Sequence, residues 1–146
     1  MSNQTKSNLL VFLQFLLIGL LLVFSPLMDI SIWAIVLILL AIALAIWAIL
    51  SMMRGKFRIS PIPAEAAILI ISGPYKWIRH PMYSAIFLGV IGLFTFHFSW
   101  IKLGLFISLI IVLSIKLEWE ETLLSKKFND YQVYKKNTKK IIPFII

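Results

Sequence analysis

An unbroken apolar run from Ile30 to Met53, interrupted by no charged residue and carrying Trp33 and Trp47 near its ends, constrains this chain more than any other feature. A stretch of that length covers the roughly 30 Å hydrocarbon core of a bilayer as a helix, and tryptophans at its ends suit the lipid interface. A second run, Leu9 to Met28, precedes it and is broken only by Gln14 and the pair Ser25 and Pro26. Asp29 marks the turn between the two, so they are expected to form a helical hairpin, with Gln14 facing another helix. Lys6 ahead of the first run gives it the look of a signal peptide, but no small-x-small cleavage pattern follows, so it reads as a retained span.

Arg54, Lys56 and Arg58 then stop the second span, and Pro61, Pro63, Gly73 and Pro74 break regular helix up to Arg79. Within this connector the apolar stretch from Ala66 to Ile71 is too short to cross, which places it at the interface or in a protein-lined cavity. A third run, Pro81 to Phe98, opens with a proline suited to a first helical turn. His97 and Trp100 mark its far end. A fourth, Ile101 to Leu117, returns and leads without a breaker into Glu118, Trp119, Glu120 and Glu121, so one helix is expected to leave the bilayer and continue in water. The expected fold is therefore an all-α integral membrane protein of about four transmembrane helices in two hairpins, with a helical C-terminal extension. It divides as one membrane domain into residues 1–53, 54–80, 81–117 and 118–146.

Charge fixes the expected orientation. Of 14 Lys and Arg residues, Lys102 alone falls on one side of the four spans, while Lys6, the group from Arg54 to Arg79 and the group from Lys116 to Lys140 fall on the other. The positive-inside rule then puts both termini in the cytoplasm, at the inner membrane. The net charge of +8 flanks apolar runs, which points to anionic headgroups rather than nucleic acid. With no cysteine and 2 histidines, disulfides, thiolate sites and a Cys nucleophile are excluded, and no metal is expected.

Two polar runs return to the same membrane face. One extends from Ser72 to Tyr83 into the third span, and the other from Lys116 to Glu121 out of the fourth. Because the two spans form a hairpin, these clusters are expected to meet. Gly73, Pro74 and Tyr75, then Arg79, His80, Pro81 and Tyr83, then Glu120 and Glu121 followed by Leu124 and Phe128, and finally Tyr131, Tyr134 and Pro143, make up an ordered set of motifs. Taken together they resemble the isoprenylcysteine carboxyl methyltransferase and phospholipid methyltransferase superfamily over about Pro61 to Pro143.

The resemblance implies S-adenosylmethionine as methyl donor. It assigns Tyr75, His80, Pro81, Met82, Tyr83 and Glu120 to the cofactor pocket, with backbone contacts from Ala67, Ile68, Leu69 and Ile70. Chemistry agrees, because a sulfonium cation with an amino-acid tail calls for a carboxylate, aromatic faces and hydrogen-bonding backbone. His80 would act through its ring or through its N–H at the helix start. Lys116, Arg79 and Glu121 are the candidate catalytic residues. Lys116 stands where the isoprenylcysteine enzymes place an arginine for the substrate carboxylate, although a point charge does not reproduce a bidentate fork. Ala85 and Asn129 replace frequent glycines of the family.

The implied reaction is methyl transfer to a carboxylate, or an amine or thiol, of a lipophilic acceptor entering from the bilayer. A carboxylate acceptor needs no base, whereas an amine would call on Glu121, Glu118 or His80. The alternatives are an NADPH-dependent membrane reductase related to sterol reductases and a non-enzymatic accessory protein. Without the motifs, Arg79, Lys76 and the tail lysines read as lipid anchors, and Gly89 and Gly92 as helix-packing positions.

Overall fold

In the computed structural model, which describes residues 2–25, 31–53, 68–95 and 98–142, the chain forms helices α1 (Asn3–Val23), α2 (Ile32–Met53), α3 (Pro81–Phe94), α4 (Trp100–Lys127) and α5 (Tyr131–Asn137). A 3-10 turn, Gly73–Lys76, precedes α3. The expected turn at Asp29, the run from Arg54 to Ala67, His97 and Pro143 lie outside the described residues. Three helices, α1, α2 and α4, are long and apolar enough to cross a membrane, and α3 is a shorter apolar helix.

Helices α1 to α4 run alternately up and down, with Lys6 near Trp119, Gly89 against Ala41 and Lys102 against Leu93, yet the closest packing is not between both expected hairpin partners. α2 packs mainly on α3, and α1 packs on α4, while α3 and α4 touch only lightly. Small side chains explain the first pair. Ala34, Ala41 and Ala48, seven residues apart, are all buried on α2, and α3 meets Ala41 with Gly89 and Ala34 with Gly92. A methyl group at Gly92 would stand 3.1 Å from Ile38 Cγ1 and 3.5 Å from the Ala34 carbonyl, whereas one at Gly89 would sit 3.6 Å from the Ala41 methyl. Lipid supplies no hydrophobic force between helices, so close backbone approach decides which pairs associate. Gly92→Leu is accordingly expected to lower stability by about 1–3 kcal/mol through overpacking. Its melting midpoint in detergent should fall clearly, while Gly89→Ala, in ordinary contact, should melt like the wild type.

The other pair is held by a stripe of Ser7, Leu10, Gln14 and Leu21 on α1. Leu21 joins Tyr83, Val90, Leu93, Leu109, Leu113 and Leu117 in the central cluster. α3 ends at Phe94, four residues before the apolar run does. The Thr95 N–H and hydroxyl both close on the Gly92 carbonyl, at 3.2 and 2.7 Å, and Lys102 donates to the Leu93 carbonyl at 3.0 Å. Lys102, expected simply to mark the outer side, is thus fully buried and caps the last turn of α3. α4, with 28 residues, is about 42 Å long at 1.5 Å per residue. It therefore outlasts the hydrocarbon core and carries the acidic run beyond it.

The C-terminal extension is only partly helical. After α5 the chain is extended, and Ile78 pairs with Lys139 in a parallel bridge. The Arg79 and His80 N–H groups donate to the Lys139 and Lys140 carbonyls at 2.8 and 3.0 Å, and the Lys139 N–H donates to Trp77 at 3.0 Å. Pro81 disfavours helical dihedrals at the residue before it, and His80, at φ -125° and ψ 58°, is out of the helical region. The free backbone groups of this stretch are satisfied by the tail.

Candidate functional site

The site begins at Gly73. Its φ of 62° lies in the left-handed region, and a Cβ there would fall 2.2 Å from Ser51 Oγ on α2, so only glycine fits. This turn anchors the segment to the end of α2, where Trp77 also meets Trp47 with ring centroids 5.9 Å apart. It buries Tyr75, whose carbonyl accepts from the Tyr134 hydroxyl at 2.7 Å.

The two polar runs come together across α3 and α4. Tyr83 donates its hydroxyl to Glu120 Oε2 at 2.8 Å. His80 lies flat against the Tyr83 ring, 5.3 Å between centroids and 7° between planes, with Nδ1 4.0 Å from Glu120 Oε2 and Nε2 3.4 Å from Glu121 Oε1. A carboxylate only accepts, so His80 Nε2 carries the hydrogen in the second contact. The Tyr75 hydroxyl is pushed well above its ordinary range by burial, then by the charge of Glu120, then by Tyr134, and therefore stays a donor. Glu120 thus sits among two tyrosines and a histidine.

The neighbouring Glu121 has a different environment. Arg79 Nε donates to its Oε1 at 2.8 Å, and Lys135 Nζ lies 2.8 Å from its Oε2. Burial alone would raise this carboxyl, but hydrogen bonds from His80, Lys135 and Arg79, with the Arg79 charge, outweigh it and hold the group far below the usual carboxylate range. The Glu121 side chain is 3% exposed, against 25% for Glu120. Arg79 is buried too, and its Nη1 donates to the Thr138 carbonyl and, at 3.0 Å, to that of Lys135. As placed, Arg79 and Glu121 form a clamp that fastens the tail across the start of α3.

Lys116 is 2% exposed. Its ammonium donates to Gln14 Oε1 at 2.6 Å and lies 5.5 Å from the Tyr83 ring centroid. Pro81 is buried at the first position of α3, and Met82 is partly buried. The His80 N–H expected to be free for a ligand is bonded to Lys140 instead, because the tail pairs with this stretch. Ile68, Leu69 and Ile70 form an irregular run ahead of the turn, Ile68 being exposed, and Ala67 lies outside the described residues. Glu118 is exposed and paired with Lys140 at the surface.

Sequence reasoning missed Lys135, Thr138 and the buried hydroxyl of Tyr131, which has no hydrogen-bond partner among the described residues. Nothing in the tail's composition signals its return to Arg79. Gln14 was legible as a lone polar residue in a span, but its partner was not.

An apolar cleft of about 910 Å³ opens between helices, lined by Leu44 and Trp47 of α2, Phe87 and Ile91 of α3, and Phe106 and Ile110 of α4, and the charged residues of the cluster are not part of its lining. Ile78 and Ile141, from the paired segments, close one end, and Ser84, next to Tyr83, contributes to the wall.

The family model for phospholipid methyltransferase matches residues 29–131, well over half of the chain. The chain belongs to the phospholipid methyltransferase family. No curated protein and no solved structure matches it. The phospholipid methyltransferase match spans α2, α3 and α4 and stops at Tyr131, so both carboxylates, Arg79, His80 and Tyr83 lie within it. Gln14 and the tail from Lys135 to Lys140 are supplied from outside it. Membership and the apolar helices together make the chain an integral membrane methyltransferase.

Proposed function

We propose that the chain uses S-adenosylmethionine to methylate a carboxylate, or an amine or thiol, on a lipophilic acceptor at the cytoplasmic membrane, in the manner of the isoprenylcysteine carboxyl methyltransferases. The observation that carries this reading is the Glu120 carboxylate, partly open, bonded by Tyr83 and flanked by His80 and Tyr75, in a bundle that also holds an apolar cleft. The donor set fits the cofactor. Glu120 would hold its cationic or amino part, the tyrosine and histidine rings its flat and sulfonium portions, and the Tyr131 hydroxyl, without a partner among the described residues, is one more buried donor nearby. When bound, the cofactor supplies an electrophilic methyl group on a sulfonium centre.

The remaining residues align and seclude. The cleft has the size and apolar lining of a ligand pocket and suits one hydrocarbon chain. Methyl transfer to a carboxylate needs alignment and exclusion of water rather than a base. Glu121 is unsuited to serve as a base, because three donors hold it anionic and a carboxyl with so low a proton affinity accepts protons poorly. Arg79 and Glu121 are therefore read as positioning residues that keep the tail against the cleft. Lys6, Arg79, Lys116 and Lys135 gather at one end of the bundle and Lys102 at the other, which supports cytoplasmic termini.

Calorimetry of the detergent-solubilised protein with S-adenosylmethionine and, separately, with NADPH tests the reading. Binding of the first and not the second, followed by transfer of a labelled methyl group into total membrane lipid extract, is expected. NADPH binding without S-adenosylmethionine binding would replace this proposal with a reductase.

A further inference from the structure

Lys116 is a costly residue, a cation buried near the end of α4 that carries the acidic run. Ionisable groups at such depth normally pair with an opposite charge or mark function. The partner here is a neutral amide contributed by α1, 102 positions away in sequence. Gln14 is itself 5% exposed, and at 2.6 Å its oxygen makes a short, charge-assisted bond. A lysine stem has four rotatable carbons and tends to lift its head toward water, and the Gln14 oxygen opposes that by holding the ammonium in place.

What the ammonium faces gives the bond its consequence. Lys116 Nζ lies over the Tyr83 ring, the same ring that stacks on His80 and whose hydroxyl holds Glu120. A cation against an aromatic face is attracted by the ring quadrupole, more strongly where water is excluded, and so favours one ring orientation. A continuous chain of contacts therefore runs from Gln14 on α1, through Lys116 on α4 and Tyr83 on α3, back to Glu120 on α4.

We propose that Gln14 is a positioning residue for the cofactor niche: its amide oxygen fixes the Lys116 ammonium against the Tyr83 ring, and through Tyr83 it fixes the Glu120 carboxylate. This rests on Glu120 being the donor-binding carboxylate proposed above. It gives α1, which lies outside the family match, a part in the site beyond crossing the membrane.

The test is S-adenosylmethionine calorimetry on full-length protein in detergent, with a double-mutant cycle. Gln14→Leu is expected to weaken donor binding about 3- to 30-fold, inside the range of coupling within one contact network. Gln14→Glu, which keeps an oxygen at the same reach, should restore it. The double variant Gln14→Leu with Lys116→Met should bind no more weakly than Lys116→Met alone. A purely structural Gln14 would lower the melting midpoint and leave the donor Kd of the folded protein unchanged. A Gln14→Leu Kd within twofold of wild type, or losses that multiply in the double variant, would overturn the assignment. If Gln14→Leu does not fold, Gln14→Asn, one methylene too short to reach, takes its place with the same criteria. Failure of the wild-type protein to bind the donor removes the cofactor reading itself and this role with it, a result distinct from normal binding by both wild type and variant.

Discussion

Glu120→Gln is expected to weaken S-adenosylmethionine binding about 10- to 100-fold, the loss of a charge-assisted contact of about 1.5–3 kcal/mol. The substitution keeps an oxygen for the Tyr83 hydroxyl, so the local fold should persist and the loss should reflect charge alone. Glu118→Gln is the matched control. Glu118 is 65% exposed and its contact with Lys140 is at the surface, where an ion pair contributes about 0–1 kcal/mol. Calorimetry of both variants decides the matter. Equal affinities for Glu120→Gln and wild type would remove the carboxylate from the donor site, however well the rings are placed around it.

Arg79→Met is expected to be the most destabilising single change in the polar cluster. It leaves Glu121 buried without its guanidinium partner, which costs about 3–5 kcal/mol, and it strips the Lys135 and Thr138 carbonyls of their donor. Arg79→Lys should rescue little, because a point charge cannot reach Glu121 and both carbonyls together. The melting midpoint should drop and the tail beyond α5 should become sensitive to protease. A tail as protected as in wild type would show that the clamp does not hold it.

Acidification sharpens that test. The folded protein keeps the Glu121 carboxyl well below the 4.5 of the unfolded chain. Between those two values the unfolded state binds more protons, so stability rises with pH there. The contribution of Glu121 is complete above 4.5 and is lost as pH falls toward the folded value. In Arg79→Met the buried carboxylate keeps Lys135 and His80 but loses its guanidinium, so its proton affinity moves back toward the unfolded value and less stability is lost on acidification. The stability gap between wild type and variant should therefore narrow below pH 4.5, and a gap that stays constant would contradict the clamp.

The four apolar runs, the one-sided basic residues and the polar clusters at the start of α3 and the end of α4 were legible because each is a property of consecutive residues. Length against bilayer thickness fixes a span, and span parity fixes which clusters share a side. Glycine at position 73 was readable as a turn because Gly-Pro punctuates any chain. The order of the motifs was enough to place the family.

Other features depend on which surfaces meet. That α2 prefers α3 follows from alanines and glycines lying opposite one another at a close backbone approach, a match between two surfaces and not a feature of either alone. The division of labour between Glu120 and Glu121 was invisible in a pair of adjacent identical residues. On a helix they point about 100° apart, so one meets Arg79, Lys135 and His80 while the other remains partly open beside Tyr83. Lys116 had a neighbour 102 positions away, and the tail returned to Trp77, Arg79 and His80 through backbone hydrogen bonds, which any sequence can make. Hydropathy determined that the chain lives in lipid and which residues reach the same end of the bundle. Only packing decided which carboxylate is locked, which stays partly open, and what holds Lys116.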